Sequence, residues 1–140
     1  MLNLTRMAEI LVVDDDALVH DYLMQVLTHD GHQVTAVYSG EEALSAIADQ
    51  EFAVAFVDLK MMGIGGMEVV EAIRRQHPAT VVIVLTGHPS LESIFEAMKQ
   101  GAYDYLFKPC RINELRETLR KGLMQRRRLL RSGAISSQSE

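Results

Sequence analysis

Apolar residues recur along this chain in two alternating rhythms. Five β-type runs, at 9–13, 33–37, 52–58, 80–85 and 103–107, are separated by stretches whose apolar positions repeat at helical spacing. Val54-Ala55-Phe56-Val57 and Val81-Val82-Ile83-Val84-Leu85 are apolar without a break. A strand reads that way when both of its faces are covered, which points to a parallel sheet. The helical stripes are Val19, Leu23, Val26 and Leu27; Ala43, Leu44 and Ile47; Val69, Val70 and Ile73; Ile94, Ala97 and Met98; and Ile112, Leu115 and Leu119. Ser39 with Glu42 reads as a capping box, Ser90 as a plain cap and Asp16 as the cap of the first helix, while Gly31, Gly101 and Pro78 fall where helices should stop. Parallel strands need right-handed helical crossovers. The pattern therefore predicts an α/β fold, (βα)₅: a doubly wound, flavodoxin-like, five-stranded parallel sheet in a three-layer sandwich.

With 140 residues, 48% of them hydrophobic, the chain is sized for a single core. No apolar run reaches the eighteen or so residues needed to cross a bilayer, and residues 1–9 lack a basic start followed by an apolar stretch, so a cytoplasmic protein without a membrane partner is expected. Cys110 is the one cysteine and reads as a small apolar side chain. Residues 1–110 carry 6 basic and 16 acidic side chains, net −10, whereas residues 111–140 carry 8 basic and 3 acidic, net +5. An acidic body repels phosphates, so residues 1–123 are not expected to bind nucleic acid directly. The body is expected to span 8–123, with 124–140 as a basic helical extension or linker ending in a disordered tail. Arg126, Arg127, Arg128 and Arg131 read as a solvated helix, since no recognition motif accompanies them.

Candidate chemistry lies at the strand ends, where open parallel sheets bind their ligands. The first run ends in Asp14-Asp15-Asp16, the third in Asp58, the fourth in Thr86-Gly87 and the fifth in Lys108-Pro109. Carboxylates crowded on one rim repel each other and lose hydration, a cost that a cation or phosphoryl chemistry would offset.

The segments Ile10-Leu11-Val12-Val13-Asp14-Asp15-Asp16, Val57-Asp58-Leu59-Lys60-Met61, Val84-Leu85-Thr86-Gly87 and Tyr105-Leu106-Phe107-Lys108-Pro109 together resemble the response-regulator receiver domain of two-component signalling. The resemblance implies that Asp58 is the phosphoacceptor. It implies that Asp14, Asp15, Asp58 and the backbone carbonyl of Lys60 hold Mg²⁺ or Mn²⁺, as hard oxygen ligands suit. Thr86, Gly87 and Lys108 would then stabilise the phosphoryl group, and a cis Lys108-Pro109 bond would aim the lysine inward. Thr86 and Tyr105 would form a switch that reshapes the face of the fourth helix, fifth strand and fifth helix. Lys60 and His88 would tune the lifetime of the phosphorylated state.

Implied partners are a sensor histidine kinase, a downstream effector domain or partner protein, and a second copy docking through that same face. The protein is then not an enzyme, promoting only its own phosphorylation and dephosphorylation. The stretch 97–108 is similar to receivers of transcription regulators with AAA+ effectors; a stand-alone phosphorelay or docking receiver is the alternative architecture. A small aspartyl-nucleophile phosphatase fits less well, because its nucleophile belongs in an Asp-x-Asp motif on the first strand and no segment is left for a substrate cap. A flavin binder would need a hydroxyl-rich phosphate loop where three carboxylates stand. The run Met61-Met62-Gly63-Ile64-Gly65-Gly66 lacks the proline usual after the acceptor, which predicts a looser loop. His20, His29, His32 and His77 are expected at the surface.

Overall fold

The computed structural model describes residues 7–61, 63–87 and 90–133. Strands β1 (Glu9–Val13), β2 (Gln33–Val37), β3 (Val54–Asp58), β4 (Val81–Thr86) and β5 (Asp104–Phe107) alternate with helices α1 (Ala17–His29), α2 (Gly40–Asp49), α3 (Gly66–Gln76), α4 (Leu91–Lys99) and α5 (Ile112–Arg131). The strands form one parallel sheet in the order β2-β1-β3-β4-β5. This is the expected doubly wound (βα)₅ sandwich.

Alternation along each strand sends side chains to two cores. Ile10, Val12, Val54, Phe56, Ile83 and Leu85 pack with Leu23 and Leu27 of α1 and Leu115 and Leu119 of α5. Leu11, Val13, Ala55, Val57, Val82 and Val84 pack on the opposite side with α2, α3 and Ala97 of α4. Because β3 and β4 are covered by helices on both faces, every residue in them is buried. The unbroken apolar runs in the sequence follow directly from that double cover.

Most ends fall within two residues of expectation. β3 begins at Val54 rather than 52, because the Phe52 carbonyl accepts from the Thr80 hydroxyl (2.5 Å) instead of joining the ladder. Asp16 caps α1 through Leu18 N (2.9 Å), Ser39 caps α2 through Glu42 N (3.1 Å), and Ser90 caps α4 through Ser93 N (3.0 Å). The reciprocal half of the Ser39 box differs, since Glu42 Oε1 accepts from Tyr38 N (2.6 Å), one residue before the cap.

Three stripe residues lie outside the core: Ile94, which is half-buried, and two that are exposed. Met98 and Ile112 are 38% and 39% exposed, because α4 covers the sheet with little more than Ala97 and the first turn of α5 stands off it. Helix α5 runs unbroken through Gly122 to Arg131. Gly122 is buried, and a Cβ there would lie 3.4 Å from both Ile83 Cδ1 and Val81 Cγ1, so the glycine lets the helix lie close on β4. Beyond it Arg126 reaches back, donating to Glu51 Oε2 and the Ala79 carbonyl (each 3.0 Å). Most of the tail expected to be disordered, 134–140, lies outside the described residues. No described helix is long and apolar enough to cross a membrane.

Candidate functional site

The sheet order reverses between β1 and β3, whose successors run to opposite edges. Val13 pairs with Val57 in register, so Asp14 and Asp58 follow side by side at the switch point where such sheets bind ligands. Asp14 is fully buried and Asp58 is 4% exposed, while Asp15 is open to solvent. One oxygen from each of Asp14, Asp15 and Asp58 lies within 4.8 Å of the others. Donors of this kind, all hard carboxylate oxygens on one rim, fit a small divalent cation that favours oxygen ligands.

Lys108, carried past β5 on the cis Lys108-Pro109 bond, completes the rim from the other edge. Its Nζ donates to Asp14 Oδ2 (2.8 Å) and lies 3.4 Å from Asp58 Oδ2. Burial alone would lower the Lys108 ammonium, but the hydrogen bond and charge of Asp14, then Asp58, carry it above its ordinary value. Burial pushes the Asp58 carboxyl above its ordinary range; the Lys60 amide pulls it down, the Asp14 charge pushes it up, and Lys108 draws it down again. A single ammonium among three carboxylates leaves the rim anionic.

The loop after Asp58 is held at close quarters despite its glycines. Lys60 N donates to Asp58 Oδ1 (3.1 Å), and Gly65 N donates to Glu68 Oε1 (3.0 Å) at the start of α3. A Cβ on Gly66 would come within 2.1 Å of the Asp58 carbonyl, and one on Gly40 within 2.3 Å of the Ile64 carbonyl. Both glycines are therefore demanded by backbone approach. Gly63 adopts φ +77° above the Glu41 carboxylate. Met62, central to the expected looseness, lies outside the described residues, as does His88.

Thr86 is buried at the end of β4, one residue past the Leu85 that pairs with Asp58. Gly87 is exposed beside Lys108, whose Cβ would lie 3.9 Å from an added Cβ. Tyr105 pairs through its backbone with Val84 and turns its ring outward, 40% exposed and 5.3 Å from the Phe107 ring. The Lys60 side chain is exposed.

Three histidines depart from the expected surface placement. His20 is buried, with Nε2 donating to the Asp14 carbonyl (2.5 Å) and its ring 4.1 Å from that of Tyr38. His32 Nδ1 accepts from Ala8 N (3.1 Å), and burial holds its pKa below the ordinary value. His77 Nε2 donates to the Ile47 carbonyl (2.7 Å). Periodicity could have found His20, which stands three and seven residues before the buried Leu23 and Leu27 on one helix face.

Residues 10–120 match the family described as response regulator receiver domain. The chain is a response-regulator receiver. It is 36% identical over 119 residues to the transcriptional regulatory protein ZraR of Salmonella typhimurium, covering 85% of this chain and 27% of that protein. It is 37% identical over 103 residues to the DNA-binding transcriptional regulator NtrC of Klebsiella pneumoniae, covering 74% and 22%. The chain thus spans about a quarter of the length of the curated relatives it matches. Among solved structures, a CheY-like receiver domain protein from Methanospirillum hungatei superposes with TM-score 0.84 at 30% identity, covering 87% of this chain and 98% of that one. NtrX from Brucella abortus gives 0.85 at 28%, covering 92% and 29%. Receivers bind Mg²⁺ at an acidic pocket, and in this receiver the acidic cluster is Asp14, Asp15 and Asp58.

Proposed function

We propose that this receiver accepts a phosphoryl group on Asp58 from the phosphohistidine of a sensor kinase, with Mg²⁺ or Mn²⁺ held by Asp14, Asp15, Asp58 and the Lys60 carbonyl. The observation that carries this reading is the meeting of three carboxylate oxygens within 4.8 Å beside a single ammonium. A divalent ion held by these oxygens would neutralise charge on the carboxylates and on the transferring group. An Asp58 oxygen attacks phosphorus in line while the phosphorus–nitrogen bond of the donor breaks. Lys108 meets the charge on the transferring group from one side and the Thr86 hydroxyl from another. Lys60 and His88, two residues after Asp58 and Thr86 in the sequence, set the lifetime of the acyl phosphate on this reading. The receiver's chemistry is confined to its own phosphorylation and dephosphorylation.

Phosphorylation biases two conformations already in equilibrium. Thr86 moves toward the new oxygens, and the Tyr105 ring, now outward, turns into the space released, reshaping the face of α4, β5 and α5. Leu91, Phe95, Met98 and Phe107 leave that face rich in exposed apolar area, which suits docking to an effector or a second copy. The output is transcriptional, through an effector region of the AAA+ kind following a receiver that spans 8–123 and a basic extension over 124–140. The site of action is the cytoplasm. Incubation with Mg²⁺ and a small phosphoryl donor should add one phosphoryl mass to the wild type and none to Asp58→Asn. Equal labelling of both would overturn the assignment.

A further inference from the structure

Asp14 is pinned from four directions. Its amide donates to the Val37 carbonyl (3.2 Å), Oδ1 accepts from Asp16 N (2.9 Å), Oδ2 accepts from Lys108 Nζ (2.8 Å), and its carbonyl accepts from His20 Nε2 (2.5 Å). The fourth bond holds the peptide that links Asp14 to Asp15. Asp15 itself makes no side-chain hydrogen bond or ion pair among the described residues, so the peptide is what fixes the direction in which its side chain leaves the backbone.

His20 is ill suited to mere filling. A carbonyl only accepts, so the ring hydrogen facing Asp14 sits on Nε2, and Nδ1 is left buried with no partner among the described residues. An unpaired buried nitrogen is a cost that leucine or phenylalanine would avoid on a face continuing through Leu23 and Leu27. The Tyr38 ring packs against the imidazole, with ring centroids 4.1 Å apart.

We infer that His20 is a positioning residue for the cation site: its Nε2–H bond fixes the Asp14–Asp15 peptide and thereby sets the affinity of the acidic cluster for Mg²⁺. The inference rests on the reading of that cluster as the cation site. It works as hydrogen-bond partners behind metal ligands do, by holding the ligands in place without touching the ion.

Calorimetric titration of the unphosphorylated chain with Mg²⁺ tests it. His20→Phe keeps a ring and removes the donor, whereas His20→Gln can return an N–H to the same carbonyl. Loss of the donor should weaken Mg²⁺ binding about tenfold, with the glutamine variant recovering most of it. Thermal transitions in chelator establish that each variant is folded. A folded phenylalanine variant binding like wild type, or phenylalanine and glutamine variants losing affinity equally, would overturn the role of the bond. Imidazole nitrogen resonances of the wild type should show the hydrogen on Nε2 and should move on adding Mg²⁺. Hydrogen on Nδ1 would overturn the inference even if both variants fail to fold. Failure of the wild type to take up Mg²⁺ would instead sink the cation-site reading, and this inference with it.

Discussion

Helices α3 and α4 follow adjacent strands and cover the same face of the sheet, yet they are held very differently. α3 buries Gly66, Val69, Val70, Ala72 and Ile73, and its first residue rests against the Asp58 backbone. α4 buries Ala97 alone, leaving Leu91 85% and Phe95 75% exposed. Apolar burial is the main force tying a helix to a sheet, so α3 is fixed and α4 is lightly held. The loop after Asp58 leads into the fixed helix. The Thr86 end of β4 leads into the loose one, which on the proposed reading is the helix that moves.

The largest effect should come from attacking the fixed side. Ile73→Ala removes a fully buried side chain from the α3 core and should cost about 2–5 kcal/mol in urea unfolding. A smaller loss there would mean that α3 is not the better anchored helix.

Next comes Asp58→Asn. Burial raises the folded-state pKa of Asp58 above its ordinary 3.8, so this group's contribution to stability is present below the unfolded value and is lost as pH rises through the folded one. In chelator, the stability advantage of the asparagine variant should therefore widen as pH rises past the ordinary carboxylate range, and thermal transitions measured from acid to neutral pH would read it. A constant gap would remove the electrostatic strain assigned to this rim.

Smallest should be Phe95→Ala on α4, within about 0.5 kcal/mol of wild type, because little apolar area leaves contact. Amide exchange should be faster in 91–99 than in 66–76; the reverse order would dissolve the comparison.

How much was legible in advance differs by level. The strand runs announced themselves because β3 and β4 are covered on both faces, and the acidic rim did so because parallel topology gathers strand ends whatever the intervening sequence. His20 was less visible. Its type favours the surface, and only the packing of α1 against the ends of β1 and β2 gives its ring a carbonyl and an aromatic neighbour. Met98 and Ile112 erred the other way: their spacing marks a stripe, but whether a stripe finds a partner depends on where neighbouring helices sit.

Local periodicity and the order of strand-end residues were enough to determine the (βα)₅ architecture and the gathering of Asp14, Asp15, Asp58, Thr86 and Lys108 on one rim, because both follow from alternation and the handedness of the crossovers. Tertiary structure alone decided which helix is anchored and which is lightly held, how Lys108 is shared between two carboxylates, and which histidine bonds the Asp14 carbonyl. Those outcomes depend on distances between elements remote in sequence, and a linear pattern of residue types does not encode a distance.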